Sequence, residues 1–274
     1  MSAASDLINP GTAQNPEGNA DLDQVLAALE RGVQVDLIAT YRLVTCSTCD
    51  RWEEVLNDKA KARFDQFPVE DGGHVVGVLE RDRQYGSGPL VEMVMRRLDD
   101  SMLVAASTGV LSYVRLAAES PYNLVVKENR ICGIATPSDL LKLPVRVVLF
   151  TLITHLESTM GALIRRRFPS SGWEKHLSGA RRQKLRDDQA RLTERRMDSD
   201  TVLLCQLCDK REIIAKGILP PGQRTGFSRD LEDLEKLRND VMHASDYVPD
   251  AHYLGSLADK AMAWIQKLEE MKRG

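Results

Sequence analysis

The 274-residue sequence predicts an α+β protein in which an N-terminal α/β region is followed by an all-α helical region. Two observations favour this class. Before Pro144, short β-branched runs alternate with helical patterns, and this series occurs twice. After Pro144, apolar residues recur at the three-and-four spacing of buried helix faces. We therefore predict a polar tail over residues 1–19, a repeated α/β domain over 20–143 and a helical bundle over 144–274.

The elements of the N-terminal region follow from these patterns in chain order. They are a β-branched run at 35–45, a helix at 51–64, a hairpin of 67–71 and 74–82 about a glycine pair, a helix at 89–98, a strand at 102–107, a helix at 108–120, a strand at 122–128 and a strand within 130–143. The second half of this series repeats the first, which predicts two copies of one structural unit.

The C-terminal region is predicted to be helical throughout. Its elements are a long helix at 145–168, a basic segment at 180–196, a cysteine-bearing helix at 198–217, an arginine-bearing helix capped by Ser228 and a final helix at 254–272. The long helix carries one apolar face, formed by Leu149, Leu152, Ile153, Leu156, Met160 and Leu163. Such a face predicts a central position in the bundle.

Composition bounds the class of protein. The chain is 43% hydrophobic and 28% charged, as soluble globular proteins are, and its formal net charge is −3. With no overall basic field, any contact with nucleic acid has to come from a local patch. The longest apolar runs are interrupted by arginine or histidine, which predicts no transmembrane helix and no membrane partner. The N-terminus lacks a basic start and an apolar run, so we predict a cytoplasmic protein.

The five cysteines predict free thiols. Two pairs have the Cys-x-x-Cys spacing, Cys46 with Cys49 and Cys205 with Cys208, and together they could supply four zinc ligands. The second pair, however, fits a buried helical face, where thiols usually behave as small hydrophobic side chains. We therefore predict no metal site.

Three residues mark a candidate nucleotide site where the last strand of the repeat turns into a helix. Gly133, Thr136 and Asp139 lie at a turn whose backbone amides can hold phosphate, and an aspartate there can accept both hydroxyls of a ribose. The alternative is that Thr136 and Asp139 only cap the helix. In the first repeat, Glu80 stands where the hydroxyl should be, and a carboxylate would repel phosphate.

The motif Gly-x-x-Thr-x-x-Asp resembles the nucleotide-binding signature of cystathionine-β-synthase (CBS) domains, and the resemblance extends over about residues 20 to 143 as a tandem pair. It implies two clefts of the kind that commonly take adenine nucleotides, with AMP, ADP or ATP as regulatory ligand. It also implies that Tyr122, at the start of the preceding strand, lines the adenine pocket. Because of Glu80, only the second motif is carried over.

Arg238 raises a separate question, since it falls within the apolar stripe of its helix. The stripe consists of Leu231, Leu234, Leu237, Val241 and Met242. A solvated arginine would project from the opposite side, with the aspartates. Arg238 could also snorkel to the surface or pair with a buried acid such as Glu157.

The sequence RNDVMH, with Arg238, Asn239 and His243, resembles the Arg-[Asn/Asp/His]-x-x-x-His motif of HEPN (higher eukaryotes and prokaryotes nucleotide-binding) domains. Many of these helical bundles are metal-independent ribonucleases that place the motif at a homodimer cleft. The resemblance implies a toxin-like endoribonuclease without a catalytic cofactor. Histidine can move protons near neutral pH and a guanidinium can stabilise a phosphorane. His243 and Arg238 take these roles, and Asn239 and Glu157 orient them.

A local basic stretch could supply RNA contacts. The candidates are Arg165, Arg166, Arg167, Arg181 and Arg182, with Trp173 for base stacking. The alternative is an ordinary solvated face. Together these features predict a cytoplasmic homodimer that cuts RNA under the control of an adenine nucleotide. The other possibility is a non-catalytic nucleotide sensor whose helical domain serves dimerisation or protein binding.

Overall fold

The computed structural model describes residues 22–85, 88–195, 200–242 and 250–273, and it confirms the α+β class. The helices are α1 (Leu22–Gly32), α2 (Trp52–Asn57), α3 (Val91–Val94), α4 (Val110–Glu119), α5 (Leu143–Arg167), α6 (Gly179–Glu194), α7 (Thr201–Leu204), α8 (Leu207–Gly217), α9 (Pro221–Met242) and α10 (Ala251–Arg273). The strands are β1 (Cys46–Ser47), β2 (Gln66–Asp71), β3 (His74–Glu80), β4 (Arg96–Arg97), β5 (Leu103–Ala105), β6 (Asn123–Lys127) and β7 (Arg130–Ala135).

The predicted repeat is a structural repeat. In each copy, a short strand runs parallel to the first strand of a hairpin, β1 beside β2 and β5 beside β6. The register of both hairpins shifts at an equivalent point, between Val69 and Glu70 in β2 and between Val125 and Val126 in β6. The strand order is β1-β2-β3-β4 in one sheet and β5-β6-β7 in the other.

Both hairpins turn through two residues with positive φ. The first uses Gly72 and Gly73, with φ of 55° and 82°, and the second uses Glu128 and Asn129, with φ of 51° and 60°. Two central residues in this region allow a tight turn that matches the twist of the strands. The second turn therefore has the same form as the first, although it contains no glycine.

The segment that precedes each repeat pairs with the hairpin of the other repeat. Thr40, ahead of the first repeat, exchanges backbone hydrogen bonds of 2.8 and 3.0 Å with Ile134 in β7. Arg96 in β4, ahead of the second repeat, pairs with Val78 in β3. This reciprocal exchange joins the two sheets and brings distant parts of the sequence to the clefts between them.

The hydrophobic side chains form three clusters. One lies within the first repeat and includes Phe67, Leu79 and Val91. A second, which includes Val78 and Tyr122, joins the two sheets. The largest cluster runs from the second repeat through the helical region, and its members come from α4, α5, α8, α9 and α10. The core is thus continuous across the predicted boundary at residue 144.

Helix α5 is the centre of the helical region. All six residues of its predicted apolar face are buried, and it packs against α4, α8, α9 and α10. By length and composition it is also the one helix of the described residues that could cross a membrane, although 61% of its most apolar window is buried inside the protein. Such burial is what a core helix of a bundle shows.

Several predicted elements of the α/β region are wrong in length or type. The run 35–45 forms no strand; it contains a 3-10 turn at Val35–Leu37. The helix predicted at 51–64 ends at Asn57, because Asp58 accepts a hydrogen bond of 2.9 Å from the Ala60 amide and starts a new 3-10 turn. The helix predicted at 89–98 contains only Val91–Val94, since the chain turns extended to form β4.

Two helix starts in the bundle also differ from the prediction. Helix α9 begins at Pro221, so Ser228 lies inside it and is not its cap. The cysteine-bearing helix is two helices, α7 and α8, separated by extended residues. Asp209 stabilises this break, because its carboxylate accepts a hydrogen bond of 2.8 Å from the Gln206 amide at the start of α8.

Helix α4 is capped by a residue distant in sequence. Its N-cap, Gly109, has no side chain, and Glu30 of α1 accepts hydrogen bonds from the Ser112 amide at 3.0 Å and from its hydroxyl at 3.1 Å. A Cβ atom on Gly109 would overlap the Glu30 carboxylate and lie 2.8 Å from its Cα. Gly109 is therefore required for the α1–α4 contact.

We expect Gly109→Ala to lower the free energy of unfolding by about 1–3 kcal/mol, because the new methyl group has to displace Glu30 from the start of α4. Chemical denaturation of the full chain measures this. Gly226→Ala is the matched control, since a Cβ at this position in α9 would have no atom within 4 Å apart from its chain neighbours and its own helix backbone. There, alanine should raise stability by up to about 1 kcal/mol. Equal effects of the two substitutions would contradict the capping role of Glu30.

Candidate functional site

The predicted nucleotide motif lines an open cleft of about 520 Å³ between the two repeats. Its lining residues include Thr40, Arg42, Val44, Arg63, Asp65, Pro121, Ile134, Thr136, Ser138 and Asp139. Hydroxyls, three carboxylates (Asp65, Asp82 and Asp139), two guanidinium groups and apolar side chains therefore border one cavity. This is the combination of groups that a nucleotide needs for its phosphate, ribose and base.

Asp139 is buried, with 6% of its surface exposed, and it caps the 3-10 turn Pro137–Leu141. Its Oδ2 accepts hydrogen bonds from the Thr136 amide at 2.7 Å and from the Thr136 hydroxyl at 3.1 Å. Its Oδ1 lies 2.7 Å from the Lys142 ammonium. The capping role that the sequence left open is thus present, and both carboxylate oxygens already have partners.

Gly133 allows a close approach of two backbones. It is buried in β7 opposite Val125. A Cβ at this position would lie 3.2 Å from both the Thr40 carbonyl oxygen and the Tyr41 ring. The glycine of the motif thus makes room for the exchanged segment, which in turn forms one wall of the cleft.

Arg42 and Arg63 were missed in the sequence. Arg42 follows Thr40 on the exchanged segment, and Arg63 lies over the ring of Phe64, with its guanidinium carbon 4.8 Å from the ring centroid. Both are exposed arginines in the first half of the chain, and no local pattern connects them to Thr136. The exchange between repeats brings Arg42 to the motif, and Arg63 reaches the same cleft from the segment between α2 and β2.

Tyr122 lies at the neighbouring cleft, beside the first-repeat motif. This cleft has a volume of about 530 Å³ and contains Glu80, Arg83 and Arg96. The Tyr122 hydroxyl donates a hydrogen bond of 2.7 Å to the Glu80 carboxylate. Burial, followed by this hydrogen bond, raises the pKa of Tyr122. The side chain expected in the pocket of the second motif therefore lies in the cleft of the first.

The first-repeat cleft is acidic where the second-repeat cleft has a hydroxyl. Glu80 occupies the position equivalent to Thr136, and it is held by Tyr122 and by Arg96 at 3.7 Å. The two clefts adjoin, since Asp65, Asp82 and Pro121 line both. Glu80 lines only the first cleft, and a phosphate there would meet this additional carboxylate, which fits the expectation of one nucleotide site.

In the helical region, three of the four predicted catalytic residues lie together. The Arg238 guanidinium is 3.4 Å from the Glu157 carboxylate and 3.4 Å from the Asn239 side-chain oxygen. His243 lies outside the described residues. Lys210, which the sequence analysis missed, approaches the other oxygen of Glu157 at 2.8 Å. Nothing in the local sequence distinguishes this lysine from a solvated one.

The apolar stripe of α9 is narrower than predicted. Leu231, Leu234 and Leu237 are buried, but Met242 is 61% exposed, so its place in the buried stripe was wrong. Met242 lies in the last turn of the helix, where the core below it ends. Arg238 itself lies at the edge of the core and reaches Glu157, which is the pairing that the sequence left open as an alternative.

Trp173 cannot stack on a base, because it is 3% exposed and belongs to the hydrophobic core. It was nominated as an RNA contact because of its basic neighbours, but its ring packs inward from a 3-10 turn at Ser171–His176. The basic residues around Trp173 in the sequence therefore do not indicate whether its side chain is exposed or buried. An aromatic platform for RNA is not available at this position.

The nominated arginines have different environments. Arg181 forms a bidentate contact of 2.7 and 2.6 Å with the buried Asp209, and Arg165 pairs with Asp200. Arg166 and Arg167 are exposed at the end of α5, and Arg167 donates a hydrogen bond of 2.9 Å to the Met271 carbonyl. Arg182 is partly exposed on α6. Arg181 thus has a structural role, and the others remain candidates for RNA contact.

The cysteines form no metal centre within the described residues, where no group of three or more His, Cys, Asp or Glu side chains could hold an ion. Cys46 and Cys205 are buried, and this burial raises the pKa of each thiol to about 12. Both thiols pack among apolar side chains of the hydrophobic clusters. Both residues act as small core side chains.

Comparison with known proteins gives matches to solved structures only; no family model and no curated protein matches the chain. The CBS domain of a bacterial CNNM/CorC family Mg²⁺ transporter in complex with ATP is 18% identical, with a TM-score of 0.36; the match covers 45% of this chain and 93% of that one. An uncharacterised conserved protein from Pyrococcus horikoshii is 23% identical, with a TM-score of 0.36 and coverages of 40% and 91%. A conserved CBS domain protein of unknown function from Thermoplasma acidophilum is 18% identical, with a TM-score of 0.33 and coverages of 43% and 75%.

We expect Asp139→Ala to lower the free energy of unfolding by about 1–2 kcal/mol, because it leaves the Thr136 amide without its acceptor at the start of the turn. Asp139→Asn keeps an acceptor oxygen and should cost less. Thermal and urea unfolding of both variants without ligand measures the difference. If alanine and asparagine have the same effect, the carboxylate does not cap the turn.

Proposed function

We propose that the protein is a cytoplasmic nucleotide sensor whose α/β domain binds AMP, ADP or ATP in the cleft beside Thr136 and Asp139. The observation that carries this proposal is the meeting of Asp139 with Arg42 and Arg63 around one cavity of about 520 Å³. A carboxylate suits two vicinal hydroxyls of a ribose, and guanidinium groups suit phosphate. The cavity volume lies within the range typical of small-molecule sites.

Binding would exchange partners at Asp139. In the structure its Oδ1 is paired with the partly exposed Lys142, whose ammonium also donates a hydrogen bond to the Ile38 carbonyl. A ribose would take the place of this ammonium, while Thr136 and Ser138 offer hydroxyls to the phosphate. Val44, Pro121 and Ile134 provide apolar surface for the base. The capping bonds from Thr136 to Oδ2 can persist in the complex.

The 3-10 turn Pro137–Leu141 contacts the helical region, so nucleotide binding at this turn could affect the helices. Leu140 and Leu141 of the turn border a small void together with Leu237 and Val241 of α9. Arg146 of α5 donates a hydrogen bond of 3.1 Å to the Leu141 carbonyl. Under this proposal, a shift of the turn on binding would move the end of the helix that carries Arg238.

We expect calorimetric titration with AMP, ADP and ATP to show binding to the wild type, near one ligand per chain. Asp139→Asn should weaken binding about tenfold or more, because it removes charge-assisted hydrogen bonds to the ribose. Asp71→Asn, on the exposed end of the first hairpin, is the matched control. If no adenine nucleotide gives heat, the sensor proposal fails. Glu80→Thr tests the stoichiometry, since it should open the second cleft and raise the ratio towards two.

A second candidate function is metal-independent cleavage of RNA by the helical region of a homodimer. It is favoured by the clustering of Arg238 with Glu157 and Asn239. Under this proposal the Arg238 guanidinium stabilises the phosphorane, Glu157 and Asn239 orient it, and His243 moves the proton of the ribose 2′-hydroxyl. The alternative is that the helical region binds a partner and cuts nothing.

We expect the wild type to cut single-stranded RNA in EDTA, and Arg238→Ala or His243→Ala to lose about a hundredfold or more of the rate. Arg238→Ala should fold, because Lys210 keeps Glu157 paired. Arg229→Ala, exposed on the same helix, is the control and should cut as the wild type does. RNA that stays intact with wild type and variants, with or without each nucleotide, would leave the protein as a sensor alone.

A further inference from the structure

The largest cavity that we describe lies in the helical region, away from the nucleotide cleft. Its volume is about 640 Å³, and α5, α7 and α8 form its walls. The polar members of its lining are Thr154, Glu157, Ser158, Arg165, Asp200 and Lys210, and Gly161, Val202 and Leu203 complete it. Among these residues, only Glu157 and Arg165 were singled out by the sequence.

The wall of this cavity has two positive groups, Arg165 and Lys210, and two negative ones, Glu157 and Asp200, but Glu157 is shared with a third cation outside the lining. Lys210 is 6% exposed, and its ammonium lies 2.8 Å from one oxygen of Glu157. The other oxygen of Glu157 contacts Arg238 at 3.4 Å. One carboxylate therefore serves two cations. Arg165 and Asp200 form a further, balanced pair. The nearly buried Lys210 ammonium shares the Glu157 carboxylate with Arg238 and is therefore incompletely neutralised, so it would attract an anion in the cavity.

Lys210 and Arg165 have further N–H groups that can donate hydrogen bonds to such an anion. An ammonium has three N–H groups and a guanidinium has five, so one ion pair at each of Lys210 and Arg165 leaves others that can turn to a ligand. Thr154 and Ser158 add hydroxyls to the same wall. Gly161 keeps the space open between them: a Cβ there would make only ordinary contacts with Arg165, Val202 and Lys210, but a longer side chain would fill the space.

We propose that this cavity is a phosphate-binding site, built from Lys210 and Arg165 with the hydroxyls of Thr154 and Ser158. The ligand is a phosphodiester of an RNA strand, and the phosphate of a free nucleotide presents the same oxygens. Glu157 joins the site to Arg238, so a strand held here would lie beside the residues of the second candidate function. The inference rests on that function for its RNA substrate but requires no cleavage.

Binding is measured by fluorescence anisotropy with a short labelled 2′-O-methyl RNA strand, which lacks the reactive hydroxyl and cannot be cut. We expect Arg165→Ala to weaken binding about tenfold and to lower the slope of log affinity against log salt by about 0.7, the loss of one phosphate contact to a single strand. Gly161→Leu should weaken binding to a similar extent by filling the cavity. Arg229→Ala, exposed on α9, and Gly161→Ala are the matched controls and should bind as the wild type does.

A second arm separates the two sources of phosphate. AMP is titrated by calorimetry into Asp139→Asn, with and without Arg165→Ala, so that the nucleotide cleft is weakened in both. If Arg165→Ala weakens binding of the RNA strand, the ligand of the cavity is a phosphodiester. If Arg165→Ala weakens binding of AMP but not of the RNA strand, the ligand is a free nucleotide at the same phosphate site. Thermal melts of Gly161→Leu show whether a loss of binding by this variant is caused by unfolding. If Gly161→Leu does not fold, the result for Arg165→Ala decides.

The proposal is overturned if Arg165→Ala binds both probes as the wild type does, or if the wild type binds neither probe. It is also overturned if Arg229→Ala loses as much binding as Arg165→Ala, which would indicate diffuse surface attraction. These outcomes differ from failure of the ribonuclease proposal. Cleavage of ordinary RNA with no effect of Arg165→Ala removes the cavity site only. Binding of the modified strand without cleavage of ordinary RNA removes the ribonuclease only.

Discussion

The exchange of leading segments between the two repeats is the constraint on which the α/β domain depends. Thr40 bonds to Ile134 in the second hairpin, and Arg96 pairs with Val78 in the first. Because each repeat is completed by a segment that belongs to the other, the cleft between them exists only when both are folded. The exchange also carries Arg42 to the motif at Thr136. These pairings are distant in sequence, and contacts of this kind slow folding because a long loop has to close before they form.

The parts of the fold that the sequence predicted are those with a local cause. Both hairpins, the apolar face of α5 and the Thr136–Asp139 turn follow from spacing and turn chemistry within a few residues. The parts that were missed depend on tertiary contacts. Trp173 turned inward although its neighbours are basic, and Arg42 and Lys210 acquire their partners only from distant segments. Residue type and spacing carry no information about such partners.

Asp139 shows why a binding motif and a helix cap are hard to distinguish in a sequence. The carboxylate that would accept ribose hydroxyls already accepts the Thr136 amide and pairs with Lys142. The two roles use different oxygens, so they need not compete: Oδ2 can keep the cap while Oδ1 changes partner. A capped turn presents its carboxylate in a fixed orientation, and this preorganisation lowers the entropy that a ligand has to lose.

Arg238 stands in an apolar stripe because a carboxylate from α5 meets it there. Stability alone does not explain this arrangement, since apolar side chains of similar volume in place of a buried ion pair are often neutral or stabilising. Here Lys210, Glu157 and Arg238 join α8, α5 and α9 in one charged cluster, at the wall of an open cavity. Removing one cation would leave Glu157 paired, whereas removing Glu157 would leave two cations facing each other. The carboxylate is therefore the member that holds the cluster together, and the cations are the members that a ligand could engage.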